Sequence, residues 1–461
     1  MSNEHITPNQ INIQTQTCQT VLNNDDPRLS QLIPFLDQNI YISGIGGTGK
    51  SYLLKQIYDF LKEKKRKVVL TSTTGVSAYN IKGVTIHSWS GIILPSHIPE
   101  DVNQFLKRVC DKILKSIKFR VRWKNIEYIL IDEISMLGAN YIEVFDTVAK
   151  HIRKNNQPFG GIKLICSGDM LQLPPVNDEF CFKSPVWDEL DFVYINLQKA
   201  FRFDNQDWVD ILARVRVGKM TKRDLDVFRE CHEKYLKSKN DRSKTLKINP
   251  TIIHSLRKDV ESINNQELQK LNSIKTQEYS CLDEYYNKDN DMIKFSCSKQ
   301  QKDLIDNELN IPQKLVLKIG AQVMLTANID VQNGLANGSR GVIVDLDESS
   351  VTVKLVNDSV HKIFHYDFAI DAEPYVLVRK MIPLDLAFST TIHKSQGSSL
   401  DCVLIDCGQK IFEAGQAYVA LSRCRSLSGL YIEGFIPSKV YPNKEALEFE
   451  EYMLKKAMKI E

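Results

Sequence analysis

The feature that most constrains the fold is a glycine-rich turn, GIGGTGKS, which runs from Gly44 to Ser51 between the apolar run IYI and the amphipathic segment YLLKQIYDFL. In such a turn, backbone N–H groups converge on phosphate oxygens, the lysine reaches the β and γ oxygens, and the serine holds Mg²⁺. The alternative is a glycine turn that carries an exposed lysine. The predicted nucleotide-binding residues are Gly44, Gly46, Gly47, Thr48, Gly49, Lys50 and Ser51, with Ser51 also a metal ligand.

Short apolar runs recur along the chain, with helical patterns between them. Apolar strands that alternate with amphipathic helices indicate a parallel sheet covered on both faces. The segment after the glycine turn has one apolar stripe at three- and four-residue spacings, formed by Leu54, Ile57, Tyr58 and Leu61. The sequence therefore predicts an α/β fold of the nucleotide-binding type, with strands in the runs NIYISG, KVVLTST, YILIDE, KLICSGD and FVYINL.

Changes in composition divide the chain into regions. Residues 1–30 are rich in Asn, Gln and Thr with little apolar periodicity, which predicts an N-terminal tail. A polar stretch over 221–249 interrupts the α/β pattern, and a second α/β series begins at Thr251. Residues 341–368 carry period-two runs separated by turn signals, and this pattern predicts a small antiparallel β unit.

The composition limits the class of protein. The chain has 461 residues, of which 43% are hydrophobic and 25% charged, and its net charge of +3 neither demands nor excludes a nucleic-acid partner. No apolar run reaches the roughly 20 residues that span a bilayer, and the polar start MSNEHITPNQ lacks a signal-peptide core. The ten cysteines are scattered, which disfavours both a disulfide framework and a zinc site. We therefore expect an intracellular protein without a membrane span.

A second candidate catalytic element is YILIDEISML, an apolar strand that ends in Asp132 and Glu133. At the end of a strand that neighbours the glycine turn, an aspartate can hold Mg²⁺ through water, and an adjacent glutamate can orient or deprotonate the attacking water. The pair therefore favours hydrolysis of a Mg²⁺-bound triphosphate. A solvated strand end is the alternative, and a kinase would need acceptor-binding groups that the sequence does not identify.

A series of segments between about residue 40 and residue 436 occurs in the order found in a known family. They are GIGGTGKS, TSTTGVSAYNIKGVTIHSWSGI, IDEISML, HIRKNNQPFGGIKLICSGDMLQLPPV, LQKAFR, LKIGAQVMLTANID, NGSRGVIV, FSTTIHKSQGSSLD and YVALSRCRS. In these segments the chain resembles the petite integration frequency (PIF) helicases, which are similar to RecD and belong to superfamily 1B. The resemblance implies an ATP-driven motor with two RecA-like domains that moves 5′ to 3′ on single-stranded DNA, with ATP and Mg²⁺ as cofactors.

The resemblance also implies a domain plan. Domain 1A covers 31–200 and holds a small 1B insertion near 76–122, which in the family helps to split the duplex. Domain 2A covers 201–317 and 381–461. A small β-barrel insertion, 2B, covers 318–380.

Three further catalytic roles follow from the resemblance. Gln172 in GDMLQLPP senses the γ-phosphate and the attacking water. Arg202 in AFR and Arg423 in ALSR approach the γ-phosphate across the cleft, where a planar cation stabilises charge spread over several oxygens. Taken alone, each arginine would more often be a surface residue. The predicted catalytic residues are Lys50, Asp132, Glu133, Gln172, Arg202 and Arg423.

For DNA, the resemblance points to the motifs TIHSW and TTIHKSQG. Backbone phosphates need donors and positive charge, whereas aromatic faces hold unstacked bases. Trp89 remains open between a base contact and a core position. The predicted strand-binding residues are His87, Trp89, Thr391, His393, Lys394 and Gln396.

The chain departs from the family in adenine recognition, because Gln14, Gln16, Gln19 and Gln31 fall in no clear motif upstream of the glycine turn. The implied function is an ATP-dependent 5′-to-3′ DNA helicase of genome maintenance. It would act as a monomer, in the nucleus or cytoplasm, on single-stranded, 5′-tailed duplex or G-quadruplex DNA. The alternatives are a DNA-stimulated translocase without efficient unwinding and a single-strand-binding module clamped by ATP.

Overall fold

The computed structural model describes residues 27–92, 102–240, 248–273, 275–287, 290–309, 311–330, 333–372, 375–396 and 398–460. Within these ranges the chain forms a seven-stranded parallel sheet, a four-stranded parallel sheet and three antiparallel sheets. The predicted α/β class is confirmed. None of the helices in these ranges is long and apolar enough to cross a bilayer.

The predicted apolar runs all become strands of the seven-stranded sheet. Its first six strands are β1 (Ile40–Gly44), β2 (Val68–Ser72), β3 (Val84–Thr85), β4 (Tyr128–Asp132), β5 (Lys163–Ser167) and β6 (Val193–Leu197). The helices of the same region are α1 (Pro27–Leu32), α2 (Lys50–Glu63), α3 (Gly75–Asn80), α4 (Ile86–Ser90), α5 (Val102–Lys115), α6 (Ile117–Asn125), α7 (Ala139–Arg153) and α8 (Pro185–Glu189).

Both faces of this sheet are buried, because successive strand residues point to opposite sides. Tyr41 and Ile129 belong to one hydrophobic cluster, whereas their neighbours Ile40 and Leu130 belong to another. Helices α2 and α7 cover the two faces and contribute Leu53 and Phe145 to these clusters, among other residues. The sheet therefore has the helix-covered architecture that the sequence pattern predicts.

The chain then enters a second domain and an antiparallel β unit. The second domain begins with α9 (Gln206–Arg216), α10 (Lys222–Asn240), β7 (Thr251–His254) and α11 (Arg257–Lys270). The β unit contains β8 (Thr276–Ser280), β9 (Leu282–Asn287), β10 (Asn290–Ser296), α12 (Lys299–Glu308), β11 (Lys314–Lys318), β12 (Gln322–Leu325), β13 (Arg340–Leu346), β14 (Ser350–Leu355), β15 (Val360–Phe364), β16 (Tyr366–Ala372), β17 (Tyr375–Met381) and β18 (Leu384–Leu386).

The β unit begins at Thr276, upstream of the boundary at 318 that the sequence predicted. Strand β8 pairs with β11, and β9 pairs with β17, so the early strands are part of the same unit. Its sheets have the orders β15-β14-β13-β12-β18, β10-β9-β17-β16 and β11-β8, and they share one hydrophobic cluster. The early strands were missed because they carry polar residues such as those of TQEYS, which weaken the period-two signal.

The chain next completes the second parallel sheet. This part contains β19 (Ser389–Thr391), α13 (Ile392–Ser395), β20 (Val403–Cys407), α14 (Gln416–Leu421) and β21 (Leu430–Phe435), and the strand order is β19-β7-β20-β21. The last elements are α15 (Lys444–Lys456) and β22 (Met458–Ile460).

The C-terminal segment returns to the first domain. Strand β22 pairs with β6, which gives the first sheet the order β22-β6-β1-β5-β4-β2-β3. Helix α15 places Ala446 and Met453 in a core cluster of the same domain. The prediction that 381–461 lies entirely in domain 2A is therefore wrong for this segment. Local periodicity identifies a helix and a strand but does not say which sheet the strand joins.

The N-terminal end of the fold also differs from the prediction. Residues 27–30, expected to lie in the tail, belong to α1, where Leu29 and Leu32 enter a core cluster beside β1. The rest of the predicted tail, 1–26, lies outside the described residues.

Candidate active site

The glycine turn joins β1 to α2, as the sequence predicts. Gly49 precedes the first residue of α2 with a left-handed φ of 79°, a conformation that glycine adopts without strain. Gly47 has a φ of 88°, and a Cβ atom there would lie 2.5 Å from the Cβ of Arg202. The loop therefore accepts Arg202 at a distance that only glycine permits.

Lys50 is the first residue of α2 and lies back over the turn. Its Nζ donates hydrogen bonds to the carbonyl oxygens of Gly44 at 2.7 Å and Ile45 at 3.2 Å, and the side chain is buried. Burial lowers the pKa of Lys50, and the nearby charges of Asp169 and Glu133 oppose part of that change. The ammonium group is thus held where phosphate oxygens would meet it.

Asp132 ends β4, but β4 is not the neighbour of the phosphate-binding strand. Strand β5 lies between β1 and β4, so the strand that ends in Asp132 is second from β1 in the sheet. Asp132 is buried, and its carboxylate accepts hydrogen bonds from Ser167 Oγ at 2.6 Å and Ser77 Oγ at 3.2 Å. These hydroxyls fix the orientation of the carboxylate at the edge where the strand carboxyl ends meet.

Glu133 follows Asp132 with a left-handed φ of 53°. Such a conformation is uncommon for a residue with a side chain and often marks a functional position. Burial, followed by the charge of Asp132, raises the pKa of Glu133 to about 7. A carboxylate with a pKa near neutrality is suited to general base catalysis.

A cleft of about 540 Å³ lies between the two parallel-sheet domains. Lys50, Glu133 and Gln172 line it from the first domain, and Arg423 and Arg425 line it from the second. The side chains predicted to act on a nucleotide are therefore brought together from distant parts of the chain.

Arg423 is buried two residues beyond the end of α14, at the end of the segment YVALSR. Its Nε donates to the carbonyl of Val419 at 2.8 Å, Nη1 to that of Ser395 at 3.3 Å, and Nη2 to Ser422 Oγ at 2.6 Å. Burial, followed by the positive charge of Arg202, lowers the pKa of Arg423 to about 9. Burial also lowers the pKa of Arg202. The cleft thus concentrates positive charge that an anion would stabilise.

Gln172 and Gln396 meet beside Glu133. Gln172 is buried, and its Nε2 donates to Asp169 Oδ2 at 3.2 Å. Gln396 Nε2 donates to Glu133 Oε2 at 3.2 Å and lies 3.4 Å from Gln172 Oε1. Gln396, predicted to bind DNA, therefore lies in the catalytic cleft in this structure.

Comparison with known proteins establishes the family. A sequence profile described as PIF1-like helicase matches residues 29–225, and one described as the 2B domain of the DNA helicase Pif1 matches 303–346. A protein from Bdellovibrio bacteriovorus, named ATP-dependent DNA helicase Pif1, is 31% identical over 418 residues, which cover 89% of this chain and 88% of that protein. The chain belongs to the PIF1-like helicase family.

Longer relatives and solved structures agree with this assignment. ATP-dependent DNA helicase PIF1 of Danio rerio is 36% identical over 91% of the chain, which spans only 62% of that relative. The Candida albicans Pif1 helicase structure covers 94% of this chain and 99% of its own, with 30% identity and a TM-score of 0.69.

Two structures of Pif1 from Bacteroides, each 26% identical to this chain, differ in their similarity to it. The unliganded structure gives a TM-score of 0.71, with 92% of this chain and 96% of that chain covered. The structure with ADP-AlF3 and single-stranded DNA gives 0.59, with 93% and 97% covered. The structure described here is therefore more similar to that DNA-free structure than to the complex with ADP-AlF3 and single-stranded DNA.

The residues that the family resemblance assigned to DNA differ in their exposure where the structure describes their side chains. Trp89 is 5% exposed and packs on Trp123 with ring centroids 4.9 Å apart, which supports the core position of the two alternatives that the sequence left open. His87 is half-buried against Tyr141, and burial lowers its pKa. Thr391 is buried at the end of β19. The backbones of His393 and Lys394 lie in α13, but their side chains are outside the described part of the structure.

Sequence reasoning missed residues that support the glycine turn of this PIF1-like helicase. Arg28 is buried, donates from Nη1 to the carbonyl of Thr48 at 3.1 Å, and lies 5.2 Å from the ring centroid of Phe201. Phe201 is exposed and lines the cleft. Phe201 precedes Arg202 in the motif AFR, which was a usable signal, whereas Arg28 fell in the predicted tail and had none.

Proposed function

We propose that this chain is an ATP-dependent DNA helicase that moves 5′ to 3′ on single-stranded DNA and unwinds duplex or structured DNA. Three cations that line one cleft, Lys50, Arg202 and Arg423, carry this proposal, because burial lowers the pKa of each. A triphosphate supplies the negative charge that such a cluster needs. Relatives named ATP-dependent DNA helicases support the choice of nucleotide and of nucleic acid.

Each side chain of the cleft has a distinct part in hydrolysis. Lys50 exchanges the loop carbonyls for β and γ oxygens, and Arg202 and Arg423 stabilise the charge that spreads over the transferring phosphoryl group. Glu133 orients the attacking water and accepts its proton, while Gln172 holds the water in line. The products are ADP and phosphate.

Mg²⁺ fits the oxygen donors of this cleft. Mg²⁺ is commonly bound through one or two carboxylates together with substrate phosphates and waters. Ser51 lines the cleft, as does Glu133, the residue that follows Asp132. We assign the ion to the hydroxyl of Ser51 and the carboxylate of Asp132. These two groups would hold the ion, which would supply positive charge to the phosphate oxygens when bound.

Helix α13 connects strand binding to hydrolysis in this proposal. The carbonyl of Ser395, its last residue, accepts a hydrogen bond from Arg423, and the next residue, Gln396, donates to Glu133. A DNA strand held at His393 or Lys394 is therefore within one helical turn of two catalytic groups. Movement of α13 on the strand changes the position of both groups, which explains how DNA can stimulate ATP hydrolysis.

The family resemblance supports three extensions of the proposal. The substrates include 5′-tailed duplex and G-quadruplex DNA, the chain acts as a monomer, and it works in the nucleus or cytoplasm in genome maintenance. Sedimentation of the protein with and without DNA tests the monomeric state.

Unwinding of matched duplexes with a 5′ tail, a 3′ tail or a fork tests the proposed function. We expect ATP-dependent unwinding of the 5′-tailed and forked duplexes, and ATP turnover that single-stranded DNA stimulates. Preferential unwinding of the 3′-tailed duplex would contradict the direction. DNA-stimulated turnover without strand separation would instead support a translocase, and ATP binding without turnover would support a clamped binding module.

A further inference from the structure

Tyr418 joins the two domains at the phosphate-binding turn. It lies in α14, is 3% exposed, and its hydroxyl accepts a hydrogen bond from the backbone N–H of Gly46 at 2.9 Å. The same hydroxyl donates to Asp169 Oδ2 at 3.4 Å. One side chain of the second domain is thus bonded both to the turn and to a carboxylate of the first domain.

Asp169 is a rigid acceptor for this hydroxyl. Its carboxylate is fully buried and accepts from Nη2 of Arg216 at 2.8 Å and from Nε2 of Gln172 at 3.2 Å. Arg216 also donates to Glu450 Oε1 at 2.8 Å, so α15 fixes the guanidinium from its other side. Burial acts to raise the pKa of Asp169, but the charges of Arg216 and Lys50, together with the hydrogen bonds from Arg216 and Gln172, outweigh it and lower the pKa. The carboxylate is therefore ionised and held in place.

Gly46 lies close to Tyr418 and also to Ser422 and Arg423, the two residues that follow α14. A Cβ atom built on Gly46 would lie 3.5 Å from the Tyr418 hydroxyl and 3.7 Å from both Arg423 Nη2 and Ser422 Oγ. The hydroxyl and the arginine therefore contact the same residue of the turn. A change in the position of α14 relative to Gly46 would therefore move Arg423 relative to the phosphates of a bound nucleotide.

We propose that Tyr418 is a positioning residue whose hydroxyl fixes α14, and with it Arg423, against the phosphate-binding turn. This inference rests on the proposed function, since it assumes that Arg423 stabilises the transition state of ATP hydrolysis. Tyr418 itself has no chemical part in the reaction. Its hydroxyl sets the distance between a first-domain turn and a second-domain cation.

The variant Tyr418→Phe tests the inference, because it removes the hydroxyl and keeps the ring. In single-turnover hydrolysis with saturating single-stranded DNA, we expect the rate to fall about tenfold, which corresponds to one hydrogen bond of about 1.4 kcal/mol. The KM for ATP and the affinity for ADP should stay within about threefold of wild type, a difference of under about 0.7 kcal/mol. Rates are normalised to titrated nucleotide sites, so that misfolded protein does not enter the comparison.

Tyr194→Phe is the matched control. The Tyr194 hydroxyl is also buried and accepts a hydrogen bond, from Trp187 Nε1 at 3.3 Å, but it lies in the first-domain core away from the cleft. We expect wild-type turnover from this variant. An equal loss of rate in both variants would show that any buried tyrosine hydroxyl supports the fold, and would overturn the positioning role.

A double-mutant cycle with Arg423→Ala separates positioning from stability. If Tyr418 acts through Arg423, adding Tyr418→Phe to Arg423→Ala changes the residual single-turnover rate by less than about twofold. A further tenfold loss would overturn the inference and leave the proposed function intact. Wild-type turnover of Arg423→Ala itself would contradict the proposed function, so the two failures are distinguishable.

Discussion

The two walls of the nucleotide cleft hold their cations differently. On the first-domain wall, Lys50 bonds to backbone carbonyls and lies near the negative charges of Asp169 and Glu133. On the second-domain wall, Arg423 bonds to two carbonyls and a hydroxyl, and it has no ion-pair partner among the described residues. The charges of Glu133 and Asp169 act on both cations. For Arg423, however, the repulsion from Arg202 is the larger effect, so the charge of the second wall is balanced less than that of the first. We infer that the first wall supplies nucleotide affinity and that the second supplies rate once phosphates lie between them.

The largest effect is expected from removal of the second-wall cation. Arg423→Ala should lower DNA-stimulated ATP hydrolysis by about 10³- to 10⁵-fold, the range found for arginines that complete phosphoryl-transfer sites. Affinity for single-stranded DNA without nucleotide should stay within about threefold, or roughly 0.7 kcal/mol. Turnover and unwinding of a 5′-tailed duplex are measured together. If Arg423→Ala unwound the duplex at the wild-type rate, the second wall would not supply the rate of hydrolysis, and the proposed difference between the two walls would be wrong.

Lys50→Ala is the control from the first wall. It should lose nucleotide affinity along with turnover, because the turn alone cannot neutralise the β and γ phosphates. Arg423→Ala should keep most of its nucleotide affinity. Equal losses of affinity in the two variants would show that both walls bind the ground state in the same way.

The next effect concerns the first wall alone. Glu133→Gln keeps the shape of the side chain and removes its basic charge, so we expect turnover to fall by about 10²- to 10⁴-fold. Binding of Mg²⁺-ATP should persist, which a fluorescent nucleotide can measure. Collapse of nucleotide affinity would instead make Glu133 a structural residue at the end of β4.

A smaller effect is expected at the junction of the two walls. Gln396→Ala removes the hydrogen bond from α13 to Glu133, and the stimulation of turnover by DNA should fall about tenfold, as expected for one hydrogen bond. Basal turnover without DNA should change less. Gln266→Ala, an exposed glutamine on α11, is the control, and a similar loss there would contradict a specific link through α13.

The cleft was more accessible to sequence reasoning than the strand-binding surface. GIGGTGKS and IDEISML place Lys50 and Glu133 by backbone geometry within a few residues, and the structure holds both in the cleft. The motif of Arg423 also leads to this cleft. The buried network of Asp169 and Arg216 could not be predicted, because Arg216 and Glu450 stand in no quoted motif and the order of the motifs does not show which residues pair with Asp169.

The motifs TIHSW and TTIHKSQG show where such reasoning stops. A motif gives residue types and order but not the direction of each side chain, so Trp89 was a base contact or a core residue on equal terms. Trp89 packs on Trp123, whose Nε1 donates a hydrogen bond to the carbonyl of Ser90 at 3.1 Å. This contact supports the core position of Trp89. The same limit applies to β22, since strand pairing depends on contacts that no local pattern records.

The smallest effect concerns the backbone of the DNA strand. We predict that Lys394, in α13, contacts one phosphate, so Lys394→Ala should lower the slope of log affinity against log salt by about 0.7, the value for one contact on single-stranded DNA. The ratio of wild-type to Lys394→Ala affinity for single-stranded DNA should thus fall by about threefold between 50 and 200 mM salt. All sequences should be affected alike, because phosphates carry no base identity. Lys444→Ala is the control, since its side chain is 89% exposed on α15. An unchanged slope, or a loss confined to one base sequence, would place Lys394 outside the phosphate path and leave the link between strand and cleft to other residues of α13.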